Sequence, residues 1–284
     1  MKIIRTCAEM AALCRDVQRP LGLVPTMGAL HDGHLSLTRR ARADSATMAV
    51  SIFVNPTQFG AGEDFNSYPR SFERDLDLLA EQGTDLVFAP PPEEVYPDGF
   101  DTWIEPGSVT EGQEGEARPG HFKGVATVVA KLFSIVRADR AYFGQKDGQQ
   151  VAVIRRMAQD LNLGVEVVTM PTIREADGLA LSSRNAYLTT DQRQAAPVIY
   201  RALCAAQELW RGGEQDAGRL RAAAMAVLQA EPMLELVDYV SVVDADSMAP
   251  VERADTSGGR RVMVAVAAKL GQPRLIDNII LGDG

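Results

Sequence analysis

An almost unbroken apolar run at residues 47–54 constrains the fold of this chain more than any other feature. A strand that is apolar on every side must be covered on both faces, which is typical of a parallel sheet lying between helices. Short apolar segments also occur at residues 21–26 and 85–89, and helical patterns fill the intervals at 34–42 and 71–82. This β-α-β-α-β alternation predicts right-handed crossovers in a Rossmann-like, doubly wound parallel sheet of the α/β class.

The pattern changes near residue 172. Before it, residues 90–120 are rich in Pro, Gly, Asp and Glu, which predicts a long surface excursion. Beyond it come two helical segments rich in Ala and Leu, then apolar strand patterns. Because a single core stops growing at roughly 250–300 residues, the length of the chain also favours a second domain. We therefore predict a Rossmann-like domain at residues 1–172 and a smaller C-terminal α+β domain at 173–284. The segments predicted in the smaller domain are helices at 191–211 and 216–230, strands at 236–244 and 261–268, and an apolar run at 279–281.

Composition excludes several classes of protein. With 29 basic and 38 acidic side chains, the net charge of −9 argues against an extended nucleic-acid surface. Cys7, Cys14 and Cys204 lack the even number and paired spacing of a disulfide framework or zinc site, and we interpret them as reduced core residues. Only two apolar positions separate Lys2 from the next charge, Arg5, and no apolar stretch approaches the roughly 18 residues of a membrane helix. We therefore expect a cytoplasmic protein with no membrane or nucleic-acid partner.

Two of the three histidines, His31 and His34, lie between the predicted strand 21–26 and the body of the helix 34–42. Side chains three residues apart in a first helical turn share a face, so both imidazoles can point at one target. A helix N-terminus carries unpaired N–H groups and partial positive charge, and Gly28 and Gly33 allow close approach, so the pattern favours a phosphate. The alternative is a pair of surface histidines on an ordinary helix. The P-loop and dinucleotide glycine patterns are both absent from the sequence.

Two further segments carry groups suited to phosphates. Ser182, Ser183 and Arg184 follow a Gly-containing loop, and a guanidinium can bind two phosphate oxygens at once. A solvated loop with a capping serine would explain the same residues. Lys146 follows a predicted strand at 141–143, where it can reach a ligand beyond the carboxyl end of the sheet. A surface lysine is the alternative there.

Taken together, these segments resemble the pantothenate synthetase family, the pantoate–β-alanine ligases of the nucleotidyltransferase superfamily. The HxGH motif of that superfamily is His31-Asp32-Gly33-His34 in this chain. HxGH alone indicates only the superfamily, whereas Asn-Pro-Thr-Gln-Phe at 55–59 and Arg-Pro-Gly-His-Phe at 118–122 indicate this family. The resemblance covers the whole length, with further matching segments at 24–28, 143–150, 181–185 and 274–278.

The resemblance implies that ATP drives the condensation of pantoate with β-alanine through a pantoyl-adenylate, releasing AMP and pyrophosphate. It implies Mg²⁺ as a cofactor, a homodimer, and a lid role for residues 173–284. His34, assisted by His31, would be the principal catalytic donor, and Lys146 and Arg184 would also act on the phosphates. Gln58 and Gln150 would bind pantoate. The residues implied to contact ATP are Met27, Gly28, Ala29, Leu30, His31, Asp32, Gly33, His34, Gly144, Gln145, Lys146, Asp147, Ile173, Leu181, Ser182, Ser183 and Arg184.

Three positions have a less defined role. Arg118 and His121 are candidates for ordering β-alanine, with a structural loop contact as the alternative. Gly148 departs from the family pattern, which usually has an aromatic residue there. We expect the missing ring to loosen the loop or to leave Gln150 less firmly placed.

The sequence does not identify the Mg²⁺ ligands, and Asp75 is one acid among many.

Other functions fit parts of the sequence. An adenylyltransferase of the same superfamily would release only pyrophosphate and keep a stable adenylylated product. A nucleotide-binding module would bind ATP without turnover. A synthetase acting on tRNA is disfavoured by the net charge of −9 and by the lack of a basic appended domain.

Overall fold

The computed structural model describes residues 1–282, so the last two positions of the predicted smaller domain lie outside the described residues. The chain forms two compact units. The first comprises Met1–Gly107, Arg118–Gly144 and Val153–Pro171, and the second comprises Ser108–Ala117, Gln145–Ala152 and the chain from Thr172 onward. Part of the predicted surface excursion, residues 108–117, therefore belongs to the second unit.

The first unit is built on a single parallel sheet. Its strands are β1 (Lys2–Ile4), β2 (Leu21–Thr26), β3 (Thr47–Ile52), β4 (Leu86–Phe88), β5 (Arg140–Gly144) and β6 (Glu166–Met170). They lie in the order β1-β4-β3-β2-β5-β6, and every neighbouring pair is parallel. The predicted doubly wound α/β architecture is confirmed. The sequence pattern did not predict β1, because only Ile4 of its three residues is buried.

The centre of this sheet places a ligand site. Five of the six residues are buried in each of β2 and β3, which accounts for their apolar sequences. β2 pairs with β3 on one side and with β5 on the other, so the strand order reverses at β2. An open parallel sheet binds ligands at such a switch point, beyond the carboxyl ends of its strands. The segment after Thr26 and the end of β5 at Gly144 lie at that edge.

The helices predicted at 34–42, 71–82, 191–211 and 216–230 are found close to those positions, with two informative differences. α2 starts at Asp32 rather than His34, because His31 serves as its N-cap. Pro197 divides the predicted helix 191–211 into two, since proline has no N–H to continue the ladder. The helices in the described part of the chain are α1 (Cys7–Asp16), α2 (Asp32–Asp44), α3 (Phe72–Glu81), α4 (Pro92–Val95), α5 (Gln113–Ala117), α6 (His121–Val136), α7 (Gly148–Asp160), α8 (Thr190–Ala195), α9 (Val198–Arg211) and α10 (Ala217–Gln229).

The second unit contains an antiparallel sheet. Its strands β7 (Leu236–Asp244), β8 (Val262–Lys269) and β9 (Arg274–Leu281) lie in that order. One core joins the sheet to α9 and α10 and includes Leu203, Leu220, Val264 and Leu275. The apolar run predicted at 279–281 is the end of β9. The smaller α+β architecture is therefore confirmed.

The cysteines match the prediction of buried core residues only in part. Cys7, Cys14 and Cys204 are free thiols, and of these Cys14 is buried while the other two are partly buried. Among residues 1–282, no helix is both long enough and apolar enough to cross a membrane.

Candidate active site

In the first unit, the two motif histidines meet at the start of α2. The backbone N–H of Gly33 donates to Nδ1 of His31 over 3.1 Å, and the N–H of His31 donates to Nδ1 of His34 over 3.4 Å. The ring centroids lie 4.1 Å apart. Because each Nδ1 accepts a backbone N–H, the proton of each neutral ring lies on Nε2. The structure thus brings two imidazole donors to a helix N-terminus, where an anion is favoured.

The turn before these histidines is held by Asp75 of α3. Its Oδ2 accepts the N–H of Ala29 and its Oδ1 accepts the N–H of Leu30, each over 2.8 Å, and its side chain is almost fully buried. Gly28 and Ala29 have φ angles of 82° and 50°, in the left-handed region. A Cβ on Gly28 would stand 3.0 Å from Oδ2 of Asp75, so both the φ angle and the space favour glycine there.

Sequence reasoning gave Asp75 no specific role, although a signal was present. Phe72, Leu76 and Leu79 mark the apolar face of α3, and Asp75 falls on that same face by helical periodicity. A carboxylate at an inward position is costly unless it is hydrogen-bonded. This pattern predicts buried partners for Asp75 but does not say which they are.

Gln58, which is predicted to bind pantoate, lies beside Met27, which is predicted to contact ATP. Its Nε2 donates to Sδ of Met27 over 3.4 Å, and its Oε1 accepts from Nδ2 of Asn55 over 3.1 Å. Asn55 is buried, and it also donates to the carbonyl of Gly124 over 3.2 Å. A Cβ on Gly124 would stand 2.3 Å from the carbonyl oxygen of Thr57, so α6 can approach this turn only at a glycine. Asn55 belonged to the matching segment at 55–59, but sequence reasoning did not assign it to the site.

Arg118 and His121 fix the backbone of Gln58. Nδ1 of His121 donates to the carbonyl oxygen of Gln58 over 2.9 Å, and Arg118 donates to the same oxygen over 3.2 Å. Arg118 also donates to Nε2 of His121 and pairs with Glu63 over 2.6 Å. Burial acts to raise the pKa of Glu63, but the hydrogen bonds and charge of Arg118 outweigh it and lower that pKa. The structural loop contact that was the alternative role for these two residues is therefore present. It holds the backbone of Gln58, which is a predicted pantoate residue.

In the second unit, the structure brings Lys146 and Ser182 together. Both line a cavity of about 10 Å³, together with Asn185 and Asp277. Lys146 lies in the 3₁₀ turn Gln145–Asp147, directly after β5. Two predicted nucleotide segments, far apart in the sequence, thus meet at one place.

The loop that carries Ser182 and Arg184 is a short 3₁₀ turn. Oγ of Ser182 accepts the backbone N–H of Arg184 over 3.3 Å, so Ser182 caps the turn Ser183–Tyr187. The capping interpretation of this segment therefore describes part of the role of Ser182. The N–H of Leu181 donates to the carbonyl of Ile173 over 2.9 Å, which joins two further predicted ATP contacts.

Met263 fills the space beside Gly148. A Cβ at position 148 would stand 2.6 Å from Sδ of Met263, so a larger side chain does not fit without rearrangement. The expected looseness at this glycine is therefore countered by a thioether from β8. Gln150 lies two residues farther along α7 and is partly buried. It belongs to the second unit, whereas Gln58 belongs to the first.

Known proteins resemble the whole chain. A family model described as pantoate-beta-alanine ligase matches residues 2–280. Pantothenate synthetase from Roseiflexus sp. (strain RS-1) is 53% identical over 281 residues, covering 99% of each chain. The enzyme of the same name from Heliobacterium modesticaldum is 54% identical over 284 residues, covering 99% of each.

Two solved structures also resemble this chain over nearly its whole length. Pantothenate synthetase from Thermus thermophilus superposes with a TM-score of 0.91 at 48% identity, covering 98% of this chain and 99% of the other. Pantoate-beta-alanine ligase from Francisella tularensis, solved in complex with beta-gamma ATP and beta-alanine, has a TM-score of 0.79 at 32% identity. That match covers 100% of this chain and 99% of the other.

Proposed function

The chain belongs to the pantoate–β-alanine ligase family, and we propose on that premise how its residues divide the work of the reaction. It is an ATP-dependent ligase that joins pantoate to β-alanine by an amide bond. The observation that carries this assignment is the family match over residues 2–280. The paired imidazoles at the N-terminus of α2 supply a physical basis for it.

The first half of the proposed reaction forms pantoyl-adenylate. A carboxylate oxygen of pantoate attacks the α-phosphorus of ATP, the bond from that phosphorus to the bridging oxygen breaks, and pyrophosphate leaves. Negative charge grows on the phosphate oxygens, where fixed donors stabilise it most. The proposed principal donor is Nε2–H of His34, assisted by His31. Lys146 and Arg184 are proposed to add positive charge at the phosphates.

The second half forms the amide. The neutral amine of β-alanine attacks the acyl carbon, the carbon–oxygen bond to AMP breaks, AMP leaves with that electron pair, and the new amide nitrogen releases a proton. Neither half needs a nucleophile from the protein. Alignment of the reactants accounts for much of the rate enhancement, and it is worth roughly 7–11 kcal/mol in favourable cases.

Gln58 is proposed to bind pantoate. Asn55 occupies its oxygen, so its amide NH₂ is directed at the sulfur of Met27. A thioether is a weak acceptor, and a pantoate oxygen would replace it at little cost. We propose that Arg118 and His121 support pantoate binding by fixing the carbonyl of Gln58. Gln150 is the second proposed pantoate residue.

The ATP contacts are proposed residue by residue from family membership. The turn and first helical residues from Met27 to His34 would contact ATP, with His34 and His31 directed at the phosphate. Gly144 and Asp147 would lie near the adenosine, and Ile173 against the adenine. The remaining proposed ATP contacts are Gln145, Lys146, Leu181, Ser182, Ser183 and Arg184. In this scheme residues 1–172 hold nucleotide and pantoate, and residues 173–284 serve as the lid.

Mg²⁺ is proposed to arrive with ATP. Within residues 1–282, no group of three or more His, Cys, Asp and Glu side chains is placed to hold a metal ion. Both oxygens of Asp75 already accept backbone N–H groups. Mg²⁺ keeps several waters and binds readily to nucleotide phosphates, so the proposed substrate is MgATP.

A homodimer and a cytoplasmic location are also proposed, since the family resemblance implies the first and the sequence composition the second. Sedimentation velocity at the enzyme concentration of the assay tests the dimer. A single species with the mass of one chain would contradict it.

Product analysis tests the proposed function. The purified chain, MgATP, pantoate and β-alanine should yield AMP and the amide in equal amounts, and omission of β-alanine should abolish amide formation. A stable adenylylated product with no amide would instead indicate an adenylyltransferase.

A further inference from the structure

Asn278 of β9 holds the backbone that carries Lys146. Its Nδ2 donates to the carbonyl oxygens of Gln145 and Lys146, each over 2.9 Å. Its Oδ1 accepts from Nε2 of Gln145 over 2.8 Å. Asn278 is 4% exposed, so water does not replace these bonds. One buried amide therefore uses both donors and its acceptor on a single turn, 132 and 133 residues away in sequence.

The neighbouring residue, Asp277, holds a different segment. Oδ1 of Asp277 accepts from Nη2 of Arg174 over 3.0 Å, and its Oδ2 accepts from Nη1. The same guanidinium donates to the carbonyl of Gly178 over 3.1 Å and stacks on the ring of Tyr200 at 4.0 Å. Burial raises the pKa of Asp277, and the paired guanidinium opposes that rise. This pair fixes the start of the loop that leads to Ser182.

The strand geometry explains how adjacent residues reach two segments. Successive side chains of a strand point to opposite faces of the sheet. Leu275 and Leu281 pack into the core beneath α9 and α10, and Asp277 lies on that face. Asn278 points to the other face, where Met263 of β8 and the turn Gln145–Asp147 lie.

We propose that Asp277 and Asn278 are positioning residues for the two nucleotide-contacting segments of the second unit, with Asn278 setting the place of Lys146. This inference rests on the proposed function, in which Lys146 acts on the phosphates of ATP. Lys146, Ser182 and Asp277 line the same cavity. With the carbonyls of Gln145 and Lys146 fixed, the lysine side chain leaves the turn from a defined position.

A graded series at position 278 tests the proposal. Asn278→Ala removes the clamp, Asn278→Ser keeps a single short donor, and Asn278→Asp places a carboxylate against two carbonyl oxygens. Ile280→Val is the matched control, since Ile280 is a buried residue on the same face of β9. We expect kcat/KM for ATP to fall about 10–100-fold for Ala and Asp and about 3–10-fold for Ser, as for other displaced catalytic groups. In the Asn278 variants, the KM for β-alanine should change less than about twofold. In Ile280→Val, kcat/KM for ATP should also change less than about twofold.

A double-mutant cycle separates positioning from a general loss of structure. If Asn278 acts through Lys146, its substitution should matter little once the lysine is gone. We therefore expect kcat/KM for ATP in the double variant, Lys146→Ala with Asn278→Ala, to lie within about threefold of its value in Lys146→Ala alone. The serine variant supplies the same comparison if the alanine variant does not fold.

The outcomes are distinct. A wild-type chain that forms no amide defeats the proposed function itself, whatever the variants do. If the wild type is active and the losses in kcat/KM of the two single variants multiply fully in the double variant, the positioning role alone is overturned. An Asn278 series that matches Ile280→Val overturns it too.

Discussion

Replacement of Asp75 by asparagine tests how the turn before the two motif histidines is held. Asp75 accepts one backbone N–H on each carboxylate oxygen, from Ala29 and Leu30, each over 2.8 Å. Asparagine has nearly the same shape but only one oxygen. One of the two N–H groups would therefore face an NH₂ group in a site that is almost fully buried.

The size of the effect follows from these contacts. A hydrogen bond to a charged acceptor contributes about 1.5–3 kcal/mol, and a buried donor left without a partner is costly. We expect Asp75→Asn to lower the free energy of unfolding by about 2–3 kcal/mol, and Asp75→Ala, which removes both acceptors, by about 3–5 kcal/mol. Ala29 has a φ of 50°, a conformation that an L-residue keeps only when its surroundings impose it. A relaxed turn would shift His31, so kcat/KM for ATP should fall about 10–100-fold.

Urea unfolding followed by circular dichroism measures the first effect, and AMP formation at varied ATP measures the second. Asp77→Asn is the matched control, because Asp77 lies on the same helix with its side chain exposed. Its free energy of unfolding should change by less than about 0.5 kcal/mol. If Asp75→Asn equals Asp77→Asn in both measurements, the carboxylate does not hold the turn.

Three further predictions concern single sites. His34→Ala should lower kcat roughly 10²–10³-fold, as removal of a transition-state donor does elsewhere. A folded variant with full turnover in the AMP assay would remove His34 from catalysis. Gly148→Val should destabilise the second unit, because a Cβ at that position stands 2.6 Å from Sδ of Met263. Met263→Ala in the same chain should restore much of the melting temperature, and additive losses would contradict this packing. Because its folded pKa is lowered, Glu63 stabilises the fold above its unfolded pKa of about 4.3, and this contribution is lost as pH falls through the folded pKa. Urea midpoints of wild type and Glu63→Gln should therefore converge from pH 7 toward pH 3, and a constant gap would refute the linkage.

The local parts of the structure could be predicted from sequence because their signals are local. The apolar pattern of β2 and β3 identifies buried parallel strands, and the spacing of His31 and His34 puts both rings on one turn. The N-cap role of His31 was not visible, because a histidine seldom caps a helix and the pattern alone favours a start at His34.

Contacts between distant segments could not be predicted. Asp75 reaches Leu30 across 45 residues, and Asn278 reaches Lys146 across 132. Periodicity shows that such polar residues face inward but carries no information about which backbone groups they meet. The same limit applied at Gly148, where the neighbour that fills the space comes from β8.

Exchange of labelled pyrophosphate into ATP tests the central claim most directly. The chain is incubated with MgATP, pantoate and labelled pyrophosphate, and β-alanine is omitted. If the ligase forms pantoyl-adenylate, label should enter ATP at a rate that depends on pantoate. Failure of exchange under these conditions, in a preparation that makes the amide when β-alanine is added, would contradict the adenylate mechanism.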